Sequence, residues 1–256
     1  MDSIFNTKRF GMLFIKHTTE HYKAYLMSWA VLVGVMALGG GFLVYMIEAP
    51  IETGMQTAMF GSIFFLAGTM FTSTIFADYG DNKKAANLLM LPATTFEKFL
   101  VGWLFSYLIF ALVFTGTFYA ILVILLSVQH IPNFHHEVIN VFEGQLVMVF
   151  VLFSLLHSIS IFGSIFFKKL HFIKTAFCFF ISIGAATLAN TAFLQMLLGR
   201  RLRSAVPFAN VDFEVDGRYN RIIAGHATDM QVMCLILLIA VVFWVTTYYK
   251  LKEKQV

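Results

Sequence analysis

Long apolar runs separated by short polar segments dominate this chain. Six of the runs contain no Asp, Glu, Lys or Arg: Tyr25–Ile47, Gln56–Ala77, Phe99–Ser127, Gln145–Phe167, Thr175–Leu198 and Gln231–Tyr249. About 20 helical residues cross the hydrocarbon core of a bilayer, and every run reaches that scale. A single charge at mid-membrane costs roughly 2.5–3.5 kcal/mol on insertion scales, so runs without charge insert readily. With no water at depth the backbone must satisfy its own hydrogen bonds, and runs of this length do so as helices. The third run exceeds the need and predicts a tilted or projecting helix. The expected fold is therefore an all-α integral membrane protein, one six-transmembrane-helix bundle over residues 1–256 with spans 25–47, 56–77, 99–127, 145–167, 175–198 and 231–249.

The connecting segments add local detail. Residues 3–23 predict an N-terminal interfacial helix, with Arg9, Lys16, Glu20 and Lys23 on one arc and Phe10 and Phe14 away from it. The first run places Ala30, Gly34, Ala37 and Gly41 on one face, and the second places Gly54, Ala58, Gly61, Gly68 and Thr72 likewise. Small residues let helix backbones approach, either inside the chain or across a dimer seam. Between the second and third spans, Asn82 can cap a short helix through Lys83–Leu91 that ends in Leu88, Leu89, Met90 and Leu91. Pro92 stops it, because proline cannot continue the hydrogen-bond ladder. Thr94 and Glu97 have the spacing of a capping box that opens the third span. Four large apolar residues in a row at the end of a short solvent-side helix predict a covering surface, either headgroups or a partner. In segment 199–229, Val211, Phe213 and Val215 alternate with acids before Asp216-Gly217, which predicts a hairpin.

Composition and charge agree. The chain has 59% hydrophobic and 12% charged residues, too little polar side chain to coat a water-facing globule. This excludes a soluble enzyme, a disordered chain and a nucleic-acid module. Lys and Arg alternate between sides, with four before the first span, three in 78–98, three in 168–174 and three after the last span, and none in 48–55 or 128–144. That bias puts both termini in the cytoplasm. The exception is segment 199–229, expected outside, which carries Arg200, Arg201, Arg203, Arg218 and Arg221. The first run is too long for the apolar region of a signal peptide and lacks a small-residue cleavage site, so it predicts a retained anchor. Cys178 and Cys234 fall within spans and imply no disulfide framework.

Candidate chemistry is sparse. His136-Glu137 begins a zinc-protease pattern, but Asn140 stands where the second histidine belongs. With His130 and His135 it reads as loop histidines, and no metal site is expected. The fourth span carries Ser154, His157, Ser158 and Ser164, and the fifth a stripe of Thr187, Asn190, Thr191 and Gln195. Interhelical glue and pathway lining are both open for these groups. No carboxylate lies within a span, which disfavours a proton- or sodium-driven transporter. No ATP-binding motif occurs, so an energy source would sit on another polypeptide.

The string FTSTIFADYGDNKKAANLLMLPATTFEKFL at 71–100, the basic approach to the first span and the ending YYKLKEKQV at 248–256 resemble type-2 permeases of ATP-binding-cassette (ABC) exporters, in the branch common in Bacteroidetes. The resemblance implies a subunit that pairs as a homodimer or heterodimer in a bacterial inner membrane and binds a cytosolic ABC ATPase. ATP and Mg would be held by that partner, with no cofactor in this chain. It assigns ATPase contact to the N-terminal helix and to a coupling helix, here Lys83, Lys84, Leu88, Leu89 and Met90. Pathway candidates are then Ser154, His157, Asn190 and Gln195, with Arg200, Arg201 and Arg203 as an external basic cluster facing lipid, substrate or solvent. Family members often carry re-entrant helices before the last span, and the Arg-rich 199–229 departs from that pattern. No catalysis is expected in the chain itself. A different class stays open: a non-transporting anchor, assembly factor or signalling protein presenting the 78–98 helix to a cytosolic partner. An intramembrane enzyme using His157 lacks a partner acid or nucleophile.

Overall fold

A computed structural model describes residues 5–46, 50–80, 92–129, 137–142, 144–199, 202, 205–208, 210–215, 218–222 and 226–254. Helices α1 (Thr7–Met46), α2 (Thr53–Gly80), α5 (Gly144–Phe166), α6 (His171–Leu198) and α7 (His226–Glu253) correspond to five of the expected spans. The third is composite: α3 (Thr95–Trp103), a π-helical turn (Leu104–Ile109) and α4 (Phe110–Val128). All six are long and apolar enough to cross a membrane. The predicted hairpin is present as strands β1 (Val211–Val215) and β2 (Arg218–Ile222), paired antiparallel with Asp212 opposite Arg221. Its turn residues, Asp216 and Gly217, lie outside the described residues.

One boundary differs from the sequence expectation. The interfacial segment 3–23 and the first span are not separate helices; from Thr7 to Met46 there is one helix of 40 residues, about 60 Å long. A hydrocarbon core is about 30 Å thick, so this helix is about twice as long as a span needs. No proline interrupts the run between the charged and apolar halves, and hydrogen bonding simply continues through it.

Helices α2 and α5 run through the centre; α7 packs on α5 and α3, α6 on α5 and α2, and α1 on α4 and α3. Phenylalanine dominates the core because its residues recur every four positions: Phe110, Phe114 and Phe118, then Leu122 and Leu126, form one buried face of α4. That face meets Phe60 and Phe64 of α2 and Phe153 of α5, all fully buried. A second cluster joins Phe76, Phe99, Ile161, Ile165 and Leu251 near the other end.

The two small-residue stripes have different fates. In α2, Gly61, Gly68 and Thr72 are buried while Gly54 and Ala58 are exposed, and Gly68 lies directly against the rings of Phe153 and Phe110. In α1, Gly34 and Gly41 have open space where a Cβ would stand, whereas Gly40 packs on Leu125. Residues 26–31 of α1 and 181–186 of α6 are exposed without interruption. Six consecutive helical positions cover the whole circumference, so at this depth α6 stands clear of the rest of the chain, while α1 still reaches α4 through Trp29 Nε1, which donates to Thr117 Oγ1 at 3.0 Å.

At the end of the bundle near Ile51, Gln56 ties segments together. Its Nε2 donates to the carbonyls of Ile51 at 3.0 Å and Glu137 at 2.8 Å, and its Oε1 accepts from the Ile139 N–H at 3.1 Å. The Tyr119 hydroxyl donates to the Ile139 carbonyl at 2.6 Å. A buried amide with its donors and acceptor all engaged is inexpensive, which explains a fully buried Gln in an apolar environment.

Candidate functional site

The four pathway candidates fall into two separate groups. Ser154 and His157 belong to a buried cluster at the π-helical turn. Indole Nε1–H of Trp244 donates to His157 Nδ1 at 3.1 Å, which makes Nδ1 an acceptor. His157 Nε2 lies 2.9 Å from Ser106 Oγ, and Ser106 in turn donates to the Gly102 carbonyl at 2.8 Å. The chain of donors closes with a neutral imidazole carrying its proton on Nε2. Tyr107 and Ser154 share a hydroxyl–hydroxyl bond of 2.6 Å, and the rings of Trp103, Tyr107, Phe153 and Trp244 surround the imidazole. Both ring nitrogens of His157 are thus engaged by α7 and by the third span.

The π turn belongs to the same cluster. The Phe110 N–H bonds to the Phe105 carbonyl, five residues back, instead of the α-helical four. Such widened turns are rare and persist where side chains hold them. Here Ser106 lies within the turn and His157 holds it from α5. Trp244→Phe removes the donor to Nδ1 while keeping an aromatic ring. It is expected to cost about 1–3 kcal/mol, the range for a buried acceptor left unpaired. Thermal melting in detergent checks this, and the Trp244→Phe/His157→Phe double variant should lose less than the two single losses combined.

Asn190 and Gln195 are on α6 and serve a different purpose. Gly199 ends that helix in the left-handed region (φ 64°), with its N–H bonded to the Gln195 carbonyl at 3.0 Å. The chain then turns back. Gln195 Nε2 donates to the Leu202 carbonyl at 2.8 Å, Asn190 Nδ2 donates to the Ala205 carbonyl at 3.0 Å, and the Ala205 N–H donates to Thr191 Oγ1 at 2.9 Å. Moving from Gln195 to Asn190 is a retreat of about 7 Å along the helix. The polar stripe therefore holds Leu202 and Ala205 against α6.

Several predicted residues lie outside the described residues: Lys83, Lys84, Leu88, Leu89 and Met90 of the coupling segment, Arg200, Arg201 and Arg203, and the histidines 130, 135 and 136. The flanks of segment 82–91 are described. At its C-terminal flank the capping box is present: Glu97 N–H bonds to Thr94 Oγ1 at 3.1 Å and Glu97 Oε2 accepts from Thr94 N–H at 2.9 Å. The other carboxylate oxygen accepts from the Asn6 N–H at 2.8 Å and from Arg9 Nη2 at 3.2 Å. Asn6 Oδ1 accepts from the Lys8 N–H at 2.9 Å, capping α1. One fully buried carboxylate thus serves the N-termini of two helices, where the partial positive charge of both favours it. At the other flank, Gly80 lies against the backbone of Ser164 and Phe167 and the ring of His171, too tightly for any side chain. Lys254 Nζ donates to the Tyr79 carbonyl at 2.7 Å and the Ile165 carbonyl at 2.9 Å.

Sequence reasoning did not single out Ser106, Tyr107, Trp244 or Lys254, and it read Glu97 as a cap alone. An indole in a span and a basic residue just beyond a helix end were the available signals. Comparison with family models, with curated proteins and with solved structures gives no match to this chain.

Proposed function

We propose that the chain is the membrane-spanning permease subunit of an ATP-driven exporter, paired in a bacterial inner membrane with both termini cytoplasmic and coupled to a separate cytosolic ATPase that holds ATP and Mg. The observation that carries this reading is the fixing of both flanks of the coupling segment. Tyr79 and Gly80 are tied to α5 and α7, and Thr94 and Glu97 are tied to α1. A push on residues 82–91 would be transmitted to α1, α2, α3 and α5 together, as a coupling element requires. The uncovered circumference of α6 at 181–186 supports pairing with a second membrane subunit. The lack of carboxylates in the apolar runs supports an energy source outside this chain.

A non-transporting anchor or assembly protein is the second reading. It is favoured by one observation: Ser154, His157, Asn190 and Gln195 are each hydrogen-bonded within the chain, so no polar path is needed to account for them. Leu88→Asp with Leu89→Asp separates the two. On the exporter reading, the wild-type chain co-purifies with an ATPase subunit from its own membranes. The double variant melts like wild type and loses that subunit together with substrate-stimulated hydrolysis. Purification of a stable chain with no ATPase, or an intact complex in the double variant, would overturn it.

A further inference from the structure

We propose that the turn joining α5 to α6, together with the end of α7, binds the headgroup phosphate of an acidic phospholipid. The turn is short and bent through Leu170, which adopts the left-handed region at φ 54°, uncommon for a residue with a branched side chain. It brings Lys168, Lys169 and Lys174 into one loop-and-turn; Lys174 Nζ lies 5.7 Å from the centre of the Phe167 ring. Lys254 is anchored beside them, on carbonyls in the last turns of α2 and α5.

Lys254 links the end of α7 to this turn through the Ile165 carbonyl at 2.9 Å. Burial, and then the charges of Lys250 and Lys168, hold the Lys254 amine below its ordinary pKa. Among the described residues, carboxylates at this end include Asp78 on α2 and Glu253 on α7, and Glu253 pairs with Lys250 at 2.8 Å. The described part of the turn thus carries three exposed lysines beside the anchored Lys254, a net positive surface that suits an anionic group.

A lipid, not a free ion, fits the surroundings. Phe166, Leu170 and Ile173 are exposed beside Lys168, Lys169 and Lys174. Apolar side chains interleaved with ammonium groups at one level match the boundary where acyl chains meet phosphates. Basic pockets between membrane helices on the cytoplasmic side are known to hold anionic headgroups. The Nδ1 atom of His171, the first residue of α6, is buried and has no hydrogen-bond partner among the described residues, leaving polar capacity beside the turn.

The test is native mass spectrometry of the full chain purified in detergent, with phosphatidylglycerol and phosphatidylcholine of matched acyl chains added in equal amounts. Wild type should retain phosphatidylglycerol preferentially. Since one ammonium near an anionic headgroup contributes about fivefold, Lys168→Gln/Lys169→Gln/Lys174→Gln should reduce that preference by roughly tenfold or more. Lys168→Arg/Lys169→Arg/Lys174→Arg should keep it, as should Lys8→Gln/Lys16→Gln/Lys23→Gln, which removes the same charge elsewhere. If the glutamine triple variant does not purify as a folded species, Lys169→Gln alone carries the readout, with an expected loss of about fivefold. Equal retention of both lipids by wild type, an unchanged preference in the glutamine variant, or an equal loss in the 8/16/23 variant would overturn the proposal. Displacement of the lipid by inorganic phosphate at the same concentration would overturn it too, since the site would then be one for free anions.

Discussion

Glu97→Ala is expected to destabilise the protein by about 2–3 kcal/mol, the upper range for hydrogen bonds to a charged group. The carboxylate accepts from two backbone N–H groups and from Arg9, and its side chain is 0% exposed while Arg9 is 31% exposed. Alanine leaves the Asn6 and Thr94 N–H groups without their carboxylate acceptor at a partly buried junction of two helix N-termini. Glu97→Gln should lose less, because an amide oxygen still accepts from one of them, though without charge. Thermal melting in detergent gives the size of the effect. Amide hydrogen exchange over residues 7–20 locates it, since release of the clamp should expose the first turns of α1 before the core opens. A Glu97→Ala protein that melts within about 0.5 kcal/mol of wild type, as a surface substitution would, contradicts this account.

Gly68→Val is expected to cost about 3 kcal/mol or more, at or beyond the upper end of what overpacked cores show. A Cβ at this position would stand 2.8 Å from Phe153 Cζ and 2.9 Å from Phe110 Cε1. Neither ring can swing away. Phe153 is fully buried, 4.2 Å centroid to centroid from Phe64 and stacked on Tyr107 at 5.7 Å, and Tyr107 in turn holds Ser154. Interiors packed at crystal density pass such a displacement on to their neighbours, so α2 and α5 must separate. Gly116→Val is the matched control: a Cβ there meets nothing within 4 Å, and valine is no worse than glycine in a helix. Equal melting temperatures for the two variants would refute the claim that Gly68 sets the distance between the central helices.

The sequence reports some parts of this architecture well because they depend on local or one-dimensional rules. Six helices long and apolar enough to cross a membrane follow from bilayer thickness and the exclusion of charge. The Thr94–Glu97 box and the 211–222 hairpin follow from spacings of three and two residues. What escaped sequence reading depends on partners far along the chain. Glu97 meets Asn6 across 91 positions, and His157 meets Trp244 across 87. No periodicity encodes such a pairing. The continuity of α1 was obscured by its change of composition near residue 24, although hydrogen bonding in a helix is indifferent to whether its side chains face lipid or water. The Asn190–Gln195 stripe was visible as polar, but its use in holding Leu202 and Ala205 depends on the turn-back at Gly199.

The π turn has a consequence for how the third span is compared with other helices. A π turn takes in one residue more than an α turn, so it is equivalent to a single insertion absorbed within a helix. Below it, Phe99 and Trp103 face the cluster around Phe76 and Trp244; above it, Phe110, Phe114 and Phe118 face α2. Without the extra residue, those two faces would be rotated by about 100° relative to each other from where they now stand. An alignment with a homologous span of ordinary pitch should therefore carry a one-residue gap between Leu104 and Ile109, flanked by matching apolar positions on both sides.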